Sequence, residues 1–184
     1  MVELPFPDPP LADEIVRLRP WSHNDLDAGH EATQDPLIPR FTRVPENQTR
    51  EDLRRFIEGR EPARRSGAVL PLVIAEMRSD GLLGTVSLMD LDWEQRRGSV
   101  GFWVAPWARG QGVATRAVKL LSCWALTELG LARVQLGAYR DNHASQRVAK
   151  RCGFIREGVL RSFLLVKGRR HDLVMFSLLP EDLG

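Results

Sequence analysis

The stretch from Ser99 to Gly130 constrains this chain more than any other. An alternating run, Ser99-Val100-Gly101-Phe102-Trp103-Val104, passes through a turn containing Pro and Gly. It then enters a segment where Val113, Ala117, Leu120, Leu121 and Trp124 recur at spacings of three and four. A strand therefore feeds a long helix over Gly112–Leu129, stopped by Gly130 at its C-cap. The apolar stripe of that helix is wide enough that it should pack on a sheet. The 184 residues, 43% of them hydrophobic, supply one full-size core with little surplus for a second.

The rest of the chain fits that plan. Residues 1–14, with Pro5, Pro7, Pro9 and Pro10, resist helix and central strand and read as an extended arm, leaving 15–184 as a single domain. Ile15 to Arg19 reads as a first strand ended by Pro20, and Ser22 or Asn24 offers an N-cap for a short helix. Thr49 followed by Asp52 starts a second helix; between the two, Gln34 to Gln48 holds three prolines and no period, and reads as a long functional loop. Val69–Met77, Leu82–Leu91 and Ser99–Val104 form an antiparallel meander. After the long helix come a fifth strand with Val134, Leu136 and Ala138, a helix capped by Asn142 and stopped by Gly153, and two last strands around the turn Lys167-Gly168-Arg169.

Charge excludes some functions. The 26 Lys and Arg nearly cancel the 24 Asp and Glu, which disfavours a protein built to coat DNA. Neither a membrane span nor a signal peptide is expected, so the chain reads as soluble and cytoplasmic. Cys123 and Cys152 both sit in apolar, helical patterns and are expected to be buried thiols, neither a disulfide nor a zinc site.

Two segments carry chemistry. In Arg109-Gly110-Gln111-Gly112-Val113-Ala114-Thr115 the glycines let backbone approach a ligand, and the unpaired N–H groups opening the helix favour phosphate oxygens, with Arg109 as a charged partner. A P-loop needs Lys then Ser or Thr where Val113-Ala114 stand, and a dinucleotide site needs an acid where the next strand ends in Ala138-Tyr139-Arg140, so both are set aside. Downstream, Asn142 and Ser145 share one face at the start of the next helix. Two helix N-termini entered from successive strands offer donors to both ends of one elongated ligand.

The Arg109-Gly-Gln-Gly112-Val-Ala114 turn, the Gly101-Phe102-Trp103-Val104 strand before it, Asn142-x-x-Ser145, Cys152-Gly153-Phe154 and Glu157-Gly158 together resemble the GNAT superfamily of acyl-CoA-dependent N-acyltransferases. The front segment Val16-Arg17-Leu18-Arg19-Pro20-Trp21 with Asp25 is similar to the RimJ/RimL-like branch, which acetylates N-termini of ribosomal proteins. The resemblance implies an α+β fold, with a mixed, mostly antiparallel sheet of seven strands splayed between the fourth and fifth and flanked by about four helices. It implies acetyl-CoA as cosubstrate, no metal, a primary-amine acceptor such as a protein N-terminus or a small molecule, and a homodimer. On this resemblance the diphosphate rests on the backbone from Arg109 to Thr115, and pantetheine pairs with Phe102, Trp103 and Val104. Asn142 bonds the pantetheine amide, and Ser145 protonates the leaving thiolate.

Three positions depart from the family pattern: Ala149 replaces a common tyrosine, Ser99 replaces a common glutamate, and a branch-specific glutamate of the sixth strand is replaced at or near Leu164. Glu157, Asp172, His171 and His143 remain as base candidates, and the missing carboxylate favours amines of low pKa. Three other readings compete with an acetyltransferase. One is a non-catalytic acyl-CoA-binding module, another an enzyme using a different donor such as succinyl-CoA. The third is an RNA-associated protein resting on Arg50, Arg54, Arg55, Arg60, Arg64 and Arg65. Acceptor contacts are expected from the Gln34–Gln48 loop and the Phe163–His171 hairpin.

Overall fold

The computed structural model describes residues 3–183. Its first strand β1 (Val16–Arg19) leads through a 3₁₀ turn into α1 (Leu26–Thr33), α2 (Leu37–Phe41), α3 (Arg50–Glu58) and α4 (Arg60–Arg65). The meander β2 (Val69–Glu76), β3 (Leu82–Asp92) and β4 (Arg97–Val104) follows, then α5 (Val113–Thr127), β5 (Arg133–Tyr139), α6 (His143–Arg151), β6 (Ile155–Val166) and β7 (Arg169–Leu178). All seven strands form one sheet in the order β1-β2-β3-β4-β5-β7-β6. Every neighbouring pair is antiparallel except β4 and β5.

That parallel pair determines the shape of the molecule. It holds over only Arg97↔Arg133, Gly98↔Val134 and Ser99↔Gln135, after which the strands part. Beyond Ser99, β4 stays paired with β3 as far as Val104, and β5 stays paired with β7 as far as Tyr139. The sheet is therefore forked.

Strand alternation separates two faces. On the back face Val100, Val134, Leu136, Val174 and Phe176 join Val113, Ala117, Val118, Leu121 and Trp124 of α5 in the main core. Full burial of side chains such as Leu121 and Phe176 contributes about 1.5–3 kcal/mol each. On the front face Val73 and Ala75 pack with Ala32 of α1, Ile38 of α2 and Trp103 of β4. The first helix is placed by a buried carboxylate: Asp25 accepts from the backbone N–H and hydroxyl of Ser22 and from both terminal nitrogens of Arg19. Of the two expected caps, Ser22 caps the 3₁₀ turn and Asn24 caps nothing, while the N-cap residue of α1 itself is Asp25.

The structure corrects three expectations. Six α-helices, not about four, flank the sheet among the described residues. The Gln34–Gln48 segment is not loop throughout, because the Asp35 carboxylate accepts from the Leu37 N–H and starts α2. Cys123 is exposed, because it lies on the side of α5 away from the sheet, whereas Cys152 is buried.

The arginine-rich helices are largely self-neutralised: Arg50 pairs with Asp27, Arg54 with Glu51, Arg55 with Asp52, and Arg64 and Arg65 with Glu61. A face so paired offers little to a polyanion. No helix among the described residues is long and apolar enough to cross a membrane.

Candidate functional site

Three features converge where β4 and β5 part. The first is the exposed edge of β4. Ala105 N–H donates to Leu83 C=O, and the constant register back to Met89 makes alternate residues of β4 bond to β3. The N–H and C=O of Trp103 therefore face β3, while those of Phe102 and Val104 face the gap. Of the three backbones expected to line a ligand, those of Phe102 and Val104 face the gap, whereas Trp103 places its carbonyl against Gly84.

The second feature is the turn into α5. Gly110 and Gly112 have φ of +76° and +78°, a left-handed backbone that glycine adopts without a Cβ penalty, and nothing lies within 4 Å of where a Cβ would stand at either. The first helical bond runs from Arg116 N–H to Gly112 C=O at 3.1 Å. The N–H groups of Val113, Ala114 and Thr115 precede it, have no carbonyl within the helix, and carry the positive end of its dipole. Gln111 turns its amide back to the Trp107 carbonyl at 2.9 Å. The Arg109 side chain, expected to face a phosphate, is spent elsewhere: it is bidentate to Asp35 at 2.8 and 3.1 Å, and its Nε donates to Val104 C=O at 3.3 Å.

The third feature is the start of α6. Asn142 Oδ1 accepts from Ser145 N–H at 3.1 Å, a capping bond that leaves the amide's two N–H donors unengaged. The Ser145 hydroxyl makes no hydrogen bond among the described residues, and both side chains are half-buried. Ala149, on the same helix, is fully buried in the main core.

An open strand edge, a glycine turn at a helix N-terminus and a second capped helix across a forked sheet can together hold an extended molecule with an anionic end. The residues from 16 to 155 match the family described as "Acetyltransferase (GNAT) domain". The chain belongs to the GNAT acetyltransferase family. This GNAT protein is 40% identical over 120 residues to YdaF of Bacillus subtilis (strain 168), named as a ribosomal N-acetyltransferase, a match spanning 65% of this chain and 66% of that protein. A GNAT-family acetyltransferase from Bacillus anthracis has the same fold, with TM-score 0.82 and 21% identity over 93% of this chain and 98% of that one. Spermidine N-acetyltransferase from Vibrio cholerae, solved with CoA and spermine, aligns with TM-score 0.76 and 20% identity over 91% and 97%. N-acetyl transfer from acetyl-CoA to an amine is thus the chemistry of the family, and the open turn at Gly110–Thr115 fits the diphosphate of that cosubstrate.

Three of the four base candidates are engaged by neighbouring groups. Glu157 sets both carboxylate oxygens on Arg133 at 2.6 Å and accepts from the Ser177 hydroxyl at 2.7 Å, bonds that lower its pKa to about 2. Asp172 accepts from Ser162 N–H at 2.8 Å and lies 3.8 Å from Arg140. The His171 ring stacks on Tyr139, with centroids 4.5 Å apart and planes 7° from parallel. His143 is exposed at the first turn of α6. At the fork itself Ser99 accepts from the Gln135 amide at 3.1 Å, so the last paired rung carries no acid. Cys152 donates to Thr115 C=O at 3.3 Å, and burial pushes its thiol up to about 11, which makes it a packing residue.

Sequence reasoning missed Asp35, Phe41 and Tyr139. Phe41 meets the Tyr139 ring edge-on at 6.1 Å and so closes the front of the gap from the α2 side. Only Asp35 carried a local signal, an Asp-Pro pair able to open a helix.

Proposed function

We propose that this chain transfers the acetyl group of acetyl-CoA to a primary amine of low pKa, a protein N-terminus or a small-molecule amine. What carries the reading is the pairing of the bare Gly110–Thr115 turn with the gap-facing edge of Phe102 and Val104, in a chain of this family. Bound acetyl-CoA supplies an activated acyl carbon with a thiolate as its leaving group. The N–H groups of Val113, Ala114 and Thr115 hold the diphosphate oxygens, as unpaired donors at a helix start do. Phe102 and Val104 extend β4 along the pantetheine arm, and the unengaged amide of Asn142 donates to one of its carbonyls. Val104 N–H faces the gap and stabilises the developing oxyanion. As the amine nitrogen bonds to the acyl carbon and the C–S bond breaks, Ser145, with its hydroxyl unengaged, passes a proton to the leaving sulfur and takes one up from the attacking nitrogen.

The acceptor enters from the front, between α2 and the β6–β7 hairpin. With Glu157 bound to Arg133 and a serine at position 99, neither of those two positions supplies a free carboxylate to take a proton there. An α-amine with pKa near 8 needs far less help than a lysine near 10.4. YdaF, named for a ribosomal acceptor, favours the protein N-terminus; the spermidine enzyme keeps a small amine as the second reading. The reading carries a single acyltransferase domain over residues 15–184, a cytoplasmic location, and a homodimer. In that dimer the outermost strand β6, with Ile155, Phe163 and Leu165 exposed, would be the contact face.

The test is incubation of the pure protein with acetyl-CoA and a panel of peptides, small amines and polyamines, read by thiol release and product mass. Amine-dependent thiol release is expected. CoA affinity without turnover on any amine would leave a binding module, and turnover confined to succinyl-CoA would change the donor.

A further inference from the structure

The chain's one tyrosine, Tyr139, closes β5 at the fork, and its hydroxyl makes no hydrogen bond among the described residues. The residue is 9% exposed. The sealed polar atoms left without a partner belong to Trp21, Gln48 and Ser122, so the phenol oxygen of Tyr139 is still reached from outside. A ring this enclosed that keeps one unpaired polar atom at a cleft is a group positioned for a ligand.

Its neighbours fix where that atom stands. Ala138 packs in the back-face core, so strand alternation sends Tyr139 to the front, the acceptor side. The Tyr139 C=O accepts from Asn142 N–H at 2.9 Å, which ties the residue to the cap of α6 and so to the Ser145 end of the cleft. His171 stacks on the ring, and Phe41, at the end of α2, meets it edge-on. The helix α2 reaches this point across the mouth of the gap, because Ile38 packs against Trp103 and Ala105 on the β4 side. The surrounding charges are sorted by sign. Asp141 pairs with Arg40 at 2.8 Å, and Asp172 accepts from Ser162 N–H and lies 3.8 Å from Arg140. Arg43, exposed, makes no ion pair among the described residues. Burial, with Asp141, holds the phenol pKa above its ordinary 10 against the pull of the Arg43 charge, so the hydroxyl keeps its proton at neutral pH and is a donor.

A hydroxyl donor beside an unpaired cation suits an acceptor that brings oxygen. A polyamine brings a second ammonium instead, and the two carboxylates here that could receive it, Asp141 and Asp172, are already engaged. We infer that Tyr139 is a specificity-determining residue that touches the acceptor: its hydroxyl donates to the carbonyl oxygen beside the amine-bearing carbon, and Arg43 receives an acidic side chain one residue further on. This rests on the proposed acetyl transfer at the fork and names its substrate class. That class is an α-aminoacyl chain with an acidic second residue, not a polyamine.

The experiment measures kcat/KM with acetyl-CoA on a peptide beginning Ser-Asp, on the same peptide beginning Ser-Asn, and on spermidine. In the unmodified protein the Ser-Asp peptide should exceed the Ser-Asn peptide by roughly threefold, the worth of one exposed ion pair, and should exceed spermidine. Tyr139→Phe keeps the ring and removes only the oxygen. It should lower kcat/KM on both peptides by roughly tenfold, the loss of one hydrogen bond, and on spermidine by less than about twofold, with the acetyl-CoA KM unchanged. Comparison with the unmodified protein on the same amine cancels the difference in amine pKa. Arg43→Gln should make the two peptides equal. An equal loss on peptides and spermidine in Tyr139→Phe overturns the inference, as does an undiminished rate on peptides or a Ser-Asp preference that survives Arg43→Gln. Because Arg43 is exposed, its variant keeps the test open should Tyr139→Phe fold poorly. No turnover of any amine by the unmodified protein would instead sink the acetyltransferase reading itself, and this inference with it.

Discussion

Gly84→Ala is the sharpest test of the β4 edge as the place where the thioester is held. Gly84 on β3 pairs with Val104 on β4, and a Cβ on Gly84 would stand 2.3 Å from the Trp103 carbonyl oxygen and 3.0 Å from the Val104 Cα. Both atoms are backbone, so no rotamer change relieves the contact. Ordinary contact needs about 1 Å more, and the movement must come from the strand itself. Overpacking of this kind costs about 2–3 kcal/mol, or about 4–12 °C in Tm for a chain of this size. The strand that shifts is the one aiming Val104 at the gap, and a misplacement of about 1 Å costs on the order of 100-fold in rate. Gly101→Ala is the control. Its Cβ would meet the Met89 Cε at 2.9 Å, the far end of a side chain with three rotatable bonds, so a loss under about 1 kcal/mol is expected. Urea denaturation of both variants, with thiol release from acetyl-CoA on a peptide acceptor, gives the comparison. If Gly84→Ala is as stable and as active as Gly101→Ala, the placement of the β4 edge is wrong.

Three further outcomes are expected. Ser145→Ala should keep CoA affinity, because the capping bond uses the Ser145 backbone N–H, and should lower kcat by roughly 10²-fold if the hydroxyl donates to sulfur; an unchanged kcat removes that role. The rate on an α-amine peptide should exceed that on a matched lysine side chain by roughly 200-fold near pH 7, the ratio of their free-base fractions. Equal rates would reveal a base that the fork does not show. Glu157, lowered by Arg133 from its ordinary 4.5 to about 2, adds stability that is complete above pH 4.5 and is lost as pH falls toward 2. Glu157→Gln should therefore flatten the acid limb of the stability profile in that window, and an unaltered limb would show that the pair contributes nothing.

Much of the site was legible because its parts are local. The glycines at 110 and 112 announce a left-handed turn, the periodic residues from Val113 announce the helix behind it, and Asn142 three places before Ser145 announces a cap. Backbone N–H groups at a helix start are donors wherever that helix sits. Side-chain assignments fared differently. Arg109 was expected to face a phosphate by its position in the turn, and instead it meets Asp35, 74 residues earlier in the chain. Glu157 had the chemistry of a base until Arg133 and Ser177 occupied its oxygens.

Local pattern alone determined the strands and long helices, the sites of the two turns that open α5 and α6, and the absence of an acid at position 99. Tertiary structure decided which backbone groups face the gap, which cation is already paired, and that a five-residue helix crosses the mouth of the fork. Periodicity and capping act between residues a few places apart and are written in their order. Strand register, the point at which two strands part, and the partner of a charge depend on residues far apart in the chain, and they exist only once the sheet has formed.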